Sequence, residues 1–414
     1  MKLYMELYNT ASSSKQQLDL GHEVSLYVCG ITPYAATHLG HAFTYHTFDV
    51  LTRMLQHDGH TVRSVRNITD VDDDIFRVSR ERNVSVDSLV ASEMEIFHTD
   101  CHALNMCPVT YEPYASEAIE AMIARVAELV ACSAAYVVDG TVYFSVDAFP
   151  RYGQVSHYDT PTMISLSRER GANPDDPNKR NPLDFILWQP EGPGEKSWDA
   201  PWSRGRPGWH IECSTLAETL LGLPVDIHGG GEDLIYPHHE SEAAQAEACR
   251  PAVLFVRYWA HVSHVGYEGE KMSKSLGNLV FARDLRARKG ARAVRYFLSQ
   301  FHYRTSWEFE AAQFEEITDE FRRLDELCNG DIRISQQEAN ELTASVKAHL
   351  RDDLDTVSAS KEIAGRIDRS HASLGAEGLS LRGVVDSLWE LFGIAPTSVP
   401  VIPAQGTGVH GSDT

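Results

Sequence analysis

Residues Glu23 to Phe43 read EVSLYVCGITPYAATHLGHAF. The first six, Glu23 to Val28, alternate and carry β-favouring side chains, and a Gly-Ile-Thr-Pro turn at Gly30 to Pro33 follows, so a strand feeding a turn is expected. Beyond it, Leu39, Ala42, Phe43, Val50, Leu51, Met54 and Leu55 fall near helical spacing until Asp58-Gly59, and a β-rich run from Thr61 to Ile68 comes next. The order β-α-β is the opening of an α/β domain.

Outward from that unit, Ile119, Met122, Ile123, Val126, Leu129 and Val130 mark one face of a helix. Tyr136 to Phe144 reads as a hairpin around Asp139-Gly140. A β-containing insertion therefore interrupts the α/β core. The segment RERGANPDDPNKRNPLD, Arg168 to Asp184, has the composition of a loop, and strands return at Val225 to His228 and Leu254 to His264. After about Ser306 everything reads helical: Phe309 to Leu327, Gln336 to Leu350, Ser358 to Leu374 and Leu381 to Phe392. The expected organisation is a catalytic domain over 1–305 with the insertion at about 105–200, a helical bundle over 306–395, and a disordered tail over 396–414.

The chain has 414 residues, a formal net charge of −22 and 43% hydrophobic residues, enough for two or three domains with ample core. No window has the run of about 18 to 20 apolar residues that a membrane span needs, and Met1 to Thr10 shows no basic-then-apolar signal, so a cytoplasmic protein with no membrane partner is expected. Seven cysteines, at 29, 101, 107, 132, 213, 249 and 328, form no short-range pattern. Free thiols or metal ligands are expected rather than a disulfide framework. The acidic balance and an acidic helical C-terminal part disfavour a large polyanionic partner.

Two clusters carry chemistry. Thr37-His38-Leu39-Gly40-His41 stands where the first strand turns into the first helix, and a helix N-terminus with a glycine and two imidazoles suits a triphosphate. Taken alone it is weak evidence, and an ordinary surface histidine pair is the commoner reading. Lys271-Met272-Ser273-Lys274-Ser275 sets two lysines three apart in a hydroxyl-bearing loop, which suits transferring phosphoryl charge. By itself it is equally a solvated turn. The two in this order, about 230 residues apart after a β-α-β opening, are far more specific.

With Cys29-Gly30, Asn67-Ile68-Thr69-Asp70, Pro207-Gly208-Trp209-His210-Ile211-Glu212-Cys213 and Asp226-Ile227-His228-Gly229-Gly230-Gly231 beside them, these clusters make the chain resemble the cysteine-activating class I adenylate-forming enzymes over roughly residues 3 to 395. The resemblance implies a Rossmann-like (HUP-type) α/β nucleotide-binding domain followed by an α-helical bundle. It also implies L-cysteine and ATP with Mg²⁺ as substrates and one Zn²⁺ per chain. Cys29, Cys213, His238 and Glu242 match the zinc positions; His238 and Glu242 are four apart and share a face if helical. His38, His41, Lys271 and Lys274 match the catalytic positions. Gly30, Ile31, Thr32, Thr44, Asn67, Ile68, Thr69, Trp209, Gly231, Glu232, Asp233 and Val265 match positions that hold the cysteinyl-adenylate. Cys101, Cys107, Cys132, Cys249 and Cys328 match none and read as packing residues.

Two branches of the family compete. The loop Glu169-Arg170-Gly171-Ala172-Asn173-Pro174 is similar to the ERGGDP signature of the mycothiol cysteine ligases, departing from it at Ala172 and Asn173. Cys29 to His41 and Asp352-Asp353-Leu354-Asp355-Thr356 also resemble that branch, and the chain ends where a synthetase would add an anticodon-reading domain. Glu242 resembles the cysteinyl-tRNA synthetases instead, because the ligases carry a non-ligand there. The resemblance thus implies a monomeric ligase joining cysteine to glucosaminyl-inositol, with a shortened synthetase acting on tRNA, or a ligase for another amine, as alternatives. Arg170 is expected to reach sugar hydroxyls or phosphate from that loop.

Overall fold

The computed structural model describes residues 4–34, 37–250, 252–272, 277–371 and 378–394. The tail expected from Pro396 onward and Lys274 of the lysine loop lie outside the described residues, as does the side chain of Lys271.

A hairpin of β1 (Glu6–Asn9) and β2 (Ser14–Gln17) comes first, followed by β3 (Glu23–Ile31), α1 (Leu39–His57) and β4 (Thr61–Ile68). Two helices that the sequence reading passed over, α2 (Asp73–Arg82) and α3 (Val86–Ala103), precede the insertion, which contains α4 (Ile119–Ala131), β5 (Ala135–Val138), β6 (Thr141–Phe144), α5 (Thr160–Glu169), β7 (Phe185–Pro190) and β8 (Gly205–Pro207). The core resumes with α6 (Trp209–Leu221), β9 (Val225–Gly231), α7 (Glu240–Glu247) and β10 (Val256–Val262).

The strands β10-β9-β3-β4 make a parallel sheet. β3 lies inside it, with β4 on one side and β9 on the other, so the winding reverses at β3 and a crevice opens beyond the carboxyl ends of β3 and β9. β3 runs to Ile31, past the turn expected at Gly30. Its register with β4 shifts between Val28 and Ile31 because the Gly30 N–H donates to the Asn67 side chain, at 2.8 Å, instead of to the ladder. The insertion carries its own antiparallel sheet, β5-β6-β7-β8, with Val142, Phe144, Leu187 and Trp188 packed against Met122 and Val126 of α4.

The C-terminal region is helical but not wholly so. β11 (Val265–Tyr267) pairs with β12 (Glu270–Lys271) and with β13 (Trp307–Glu308), and Arg333–Ile334 pairs with Leu379–Ser380. Between and beyond these lie α8 (Ala282–Lys289), α9 (Ala291–Leu298), α10 (Ala311–Cys328), α11 (Gln336–Arg351), α12 (Thr356–His371) and α13 (Leu381–Trp389). The apolar core under α1 is continuous with this region: Phe43, Val50 and Leu51 share a cluster with Phe297, Phe314, Leu350 and Phe392.

Cys132, capping α4, and Cys249, just after α7, form a disulfide with Cα atoms 6.0 Å apart. This corrects the reading of these two as packing residues. Arg125 donates to the Gln245 and Ala246 carbonyls and Arg250 to Glu128, so α4 is held along the end of α7 across a sequence separation of 117. Cys29, Cys101, Cys107, Cys213 and Cys328 are free thiols.

One buried guanidinium ties the two ends of the fold. Arg295 on α9 pairs with Asp49 of α1 and donates to the Leu104 carbonyl at 2.9 Å and the Phe392 carbonyl at 2.6 Å. Burial alone would raise the Asp49 carboxyl, but Arg295 and Arg53 overcome it and hold the group well below the usual carboxylate range. Arg295→Ala should therefore lower the unfolding free energy by about 3–5 kcal/mol, the cost of stranding a buried charge, as read by urea denaturation near pH 7. A carboxyl depressed in the folded state contributes stability above its unfolded value, about 3.9, and that contribution is lost as pH falls through the folded value. The variant should accordingly show a smaller loss of stability on acidification than the parent.

Candidate active site

A cleft of about 780 Å³ lies at the crevice beyond β3 and β9. Its lining includes Cys29, Gly30, Ile31 and Thr32 from β3 and its turn, His38, Gly40, His41 and Thr44 from the start of α1, Trp209, Gly231 and Asp233, and Val265 and Met272. Most of the residues singled out from sequence thus share one space. His38 is the N-cap of α1, its Nδ1 accepting from the Gly40 N–H at 3.1 Å. The His38 and His41 ring centroids are 3.9 Å apart. The start of a 19-residue helix, positive in its dipole, therefore faces the cleft with two imidazoles beside it.

The floor is a buried cluster. Cys29, Cys213, His238 and Glu242 each present a donor atom, all within 4.8 Å of one another. Cys29 Sγ is 3.9 Å from Cys213 Sγ and 4.0 Å from Glu242 Oε1; His238 Nε2 is 3.4 Å from Cys213 Sγ and 3.1 Å from Glu242 Oε1. A tetrahedral ion with bonds of about 2.0–2.3 Å spaces its donors about 3.3–3.8 Å apart, so small shifts would suffice to close this set on a cation. Burial pushes the Cys29 thiol up to about 11, and it raises Cys213 and Glu242 well above their ordinary values. His238 is held well below, by burial and by the imidazoles of His210 and His228. Two thiols, an imidazole and a carboxyl gathered in one buried space are donor types that suit a borderline-soft divalent metal, and such a cation would favour their deprotonated forms there.

More histidines crowd this floor than the sequence reading singled out. His239 Nε2 is 3.2 Å from Cys29 Sγ, and His228 Nε2 is 3.0 Å from Glu242 Oε2; with those two residues they form a second group of donors within 4.8 Å. His239 Nδ1 in turn meets His261 Nε2 at 2.7 Å, and His210 Nδ1 meets His238 Nδ1 at 3.0 Å. His238 and Glu242 do share a face, although Tyr236 breaks the helical dihedrals just before α7.

Asn67, Ile68 and Thr69 stand behind the wall, outside the cleft lining. The Asn67 amide donates to Glu212 Oε1 at 2.7 Å, and the Thr69 hydroxyl donates to the same oxygen at 2.9 Å. Ile68 is buried at the end of β4, opposite Ile31. Burial pushes the Glu212 carboxyl up to about 8. Glu212 was not singled out from sequence, although its place beside Cys213 in the Trp209–Cys213 run was a signal. It orients Asn67, which in turn fixes Gly30 next to Cys29.

Glu232 also lies off the cleft. It accepts from the Ser263 hydroxyl at 2.8 Å and from the His264 N–H at 3.1 Å, fastening the turn after β10. Trp209 is half-exposed and stacks on His238, with centroids 4.3 Å apart, so it lies over the floor rather than in the core. The segment leading into α8 reaches the start of α1: Leu39 N–H donates to the Val280 carbonyl at 2.7 Å, and His38 bridges to Phe281. Arg170 does not line the cleft; it donates to the Tyr236 carbonyl at 2.9 Å, bracing the segment that leads into His238. Side-chain direction at a helix end, where Arg170 caps α5, is not legible from sequence.

Residues 15–319 match the family of class I (C) tRNA synthetase catalytic domains. The chain is 42% identical over 358 residues to the L-cysteine:1D-myo-inositol 2-amino-2-deoxy-alpha-D-glucopyranoside ligase of Kribbella flavida, covering 86% of this chain and 87% of that one. It is 41% identical over 398 residues to the ligase of the same name from Tsukamurella paurometabola, covering 94% and 95%. Among solved structures, Mycobacterium tuberculosis methionyl-tRNA synthetase bound by methionyl-adenylate superposes with a TM-score of 0.62 at 16% identity over 89% of each chain, a likeness of fold.

A Cβ on Gly30 would stand 1.5 Å from the Asn67 carbonyl oxygen, a backbone atom that cannot yield without opening β3 from β4. Gly30→Ala should cost about 1–3 kcal/mol in urea unfolding. At Gly40 an added Cβ meets only the His38 ring, at 3.0 Å, and gains helix propensity, so Gly40→Ala should stay within about 1 kcal/mol of the parent.

Proposed function

The chain belongs to the family of class I tRNA synthetase catalytic domains of the cysteine type, and from that membership we propose that it activates L-cysteine with ATP and joins it to the amine of glucosaminyl-inositol. It is an AMP-forming ligase, and the relatives that share about 41–42% of its residues over most of both chains support that acceptor. The observation that carries the cysteine half is the floor: two thiols, an imidazole and a carboxyl gathered beneath a cleft whose far wall is the start of α1.

Cys29, Cys213, His238 and Glu242 would hold Zn²⁺ there, with His239 and His228 hydrogen-bonded to Cys29 and Glu242. When bound, the ion would take the substrate thiolate as a soft ligand, in a fifth position or in place of Glu242; serine has no such sulfur to give, which explains selection without an editing site. Trp209, stacked over His238, would bound the cysteine side chain and keep water out.

The carboxylate oxygen of cysteine attacks the α-phosphorus of Mg-ATP in line, forming cysteinyl-adenylate as the bond to the bridging oxygen of pyrophosphate breaks. His38 and His41, at the dipole end of α1, stabilise the charge on pyrophosphate, and Gly40 lets it approach the backbone. Lys271 and Lys274 are assigned the same task. The amine of the acceptor then attacks the adenylate carbonyl, the amide forms and AMP leaves. Asp233, on the cleft wall, or an adenylate phosphate oxygen receives the amine proton.

Enzyme mixed with Mg-ATP, cysteine and glucosaminyl-inositol should release AMP and yield a cysteine amide, and the yield should survive ribonuclease. Formation of Cys-tRNA with no amide would replace this acceptor by tRNA. Elemental analysis of the purified chain should find about one zinc per chain. Cys213→Ala should lose the metal and cysteine activation together, and an active protein without metal would remove zinc from the account.

A further inference from the structure

The cleft has a wall that the two half-reactions above leave unused. On the side of α2, Tyr34, Asp74, Arg77, Val78 and Arg82 line the same space as Cys29 and Trp209. We infer that this face of α2, with Tyr34, is the subsite that holds the hydroxyl-bearing part of the acceptor. The inference rests on the reading of the enzyme as a cysteine ligase for a small amine.

The chemistry of the wall fits a polyol. Arg77 pairs with Asp74 at 2.7 Å and with Glu81 at 3.0 Å, and Arg82 pairs with Glu93 at 2.9 Å. The Tyr34 hydroxyl is hydrogen-bonded to Asp74. Sugar and inositol hydroxyls both donate and accept, so a surface that alternates carboxylate and guanidinium can satisfy them on both counts. The acceptor amine must reach the adenylate carbonyl near the floor, which sends the remainder of the molecule toward the rim. Asp74 and Arg77 stand at that rim, their side chains about half-exposed.

On the cleft face itself Asp74 stands beside Arg77 and Arg82, whose partners Glu81 and Glu93 lie off the lining, so the wall presents both acceptors and donors.

The wall is also held in place. Ile75, Phe76, Val78 and Ser79 are buried beneath it, and Asp72 caps its start. The Arg206 guanidinium of β8 pairs with Asp73, pairs with Glu195 at 3.0 Å and lies 5.4 Å from the Phe76 ring centroid. Groups fixed before the ligand arrives lose little entropy on binding it.

Arg77→Ala and Asp74→Ala separate the two half-reactions. Each should raise KM for glucosaminyl-inositol roughly 10- to 100-fold in amide formation, the loss expected for charge-assisted hydrogen bonds. Cysteine-dependent exchange of pyrophosphate into ATP, and KM for cysteine in that exchange, should stay within about twofold, which a merely misfolded variant would not manage. Amide formation by the parent with KM for the amino sugar unchanged in both variants overturns the subsite and leaves the ligase reading standing. A parent that exchanges pyrophosphate yet transfers no cysteine to the amino sugar overturns that reading, and the subsite with it.

Discussion

Four donor side chains from three elements must meet inside a space 4.8 Å across, beneath the surface, and much of the structure around them serves that requirement. Cys29 is delivered by the end of β3, Cys213 by the first turns of α6, and His238 and Glu242 by the approach to α7 and its first turn. Each is clamped from behind: Gly30 by Asn67 and Glu212, the segment before His238 by Arg170, and the far end of α7 by α4 and the disulfide. A donor displaced by 1 Å would leave a thiol or carboxyl buried without compensation, so this tolerance is set by the cost of burying polar groups.

The second requirement is that an anion-binding helix start face the same space. The parallel sheet provides it, because β3 reverses the winding and opens the crevice into which α1 points. On the proposed reading the floor selects a sulfur, the α1 wall holds phosphates, and the α2 wall takes the acceptor.

How much of this the sequence disclosed depends on how local the signal is. The β3-α1-β4 unit was legible because its periodicities change sharply at Gly30 and Asp58, and β4 runs from Thr61 to Ile68 as read. The helices of the C-terminal region lie close to the stretches read as α10 to α13, whereas the two-residue strands at Trp307 and Arg333 are too short to leave a pattern. α2 was missed because it is polar on all but one narrow face, and α3 was passed over although Leu89, Val90, Met94 and Phe97 fall near helical spacing. The four floor donors were legible through their match to the zinc positions of the family that the chain resembles, not through their own spacing. His228 and His239 were not, since a histidine in a strand, or one that follows another histidine, reads as an ordinary core residue until its neighbours are known. Asn67 and Thr69 were assigned to the ligand but face Glu212, and Cys132 was paired across 117 residues that no spacing rule spans.

The central claim is that this cleft activates cysteine, and cysteine-dependent exchange of labelled pyrophosphate into ATP tests it most directly, with serine as the comparison. The account predicts exchange that requires cysteine and falls by at least about 10²-fold with serine, since a sulfur-selecting floor leaves the hydroxyl without its ligand. Exchange supported equally by serine, or none with cysteine under conditions where ATP binds, would contradict it.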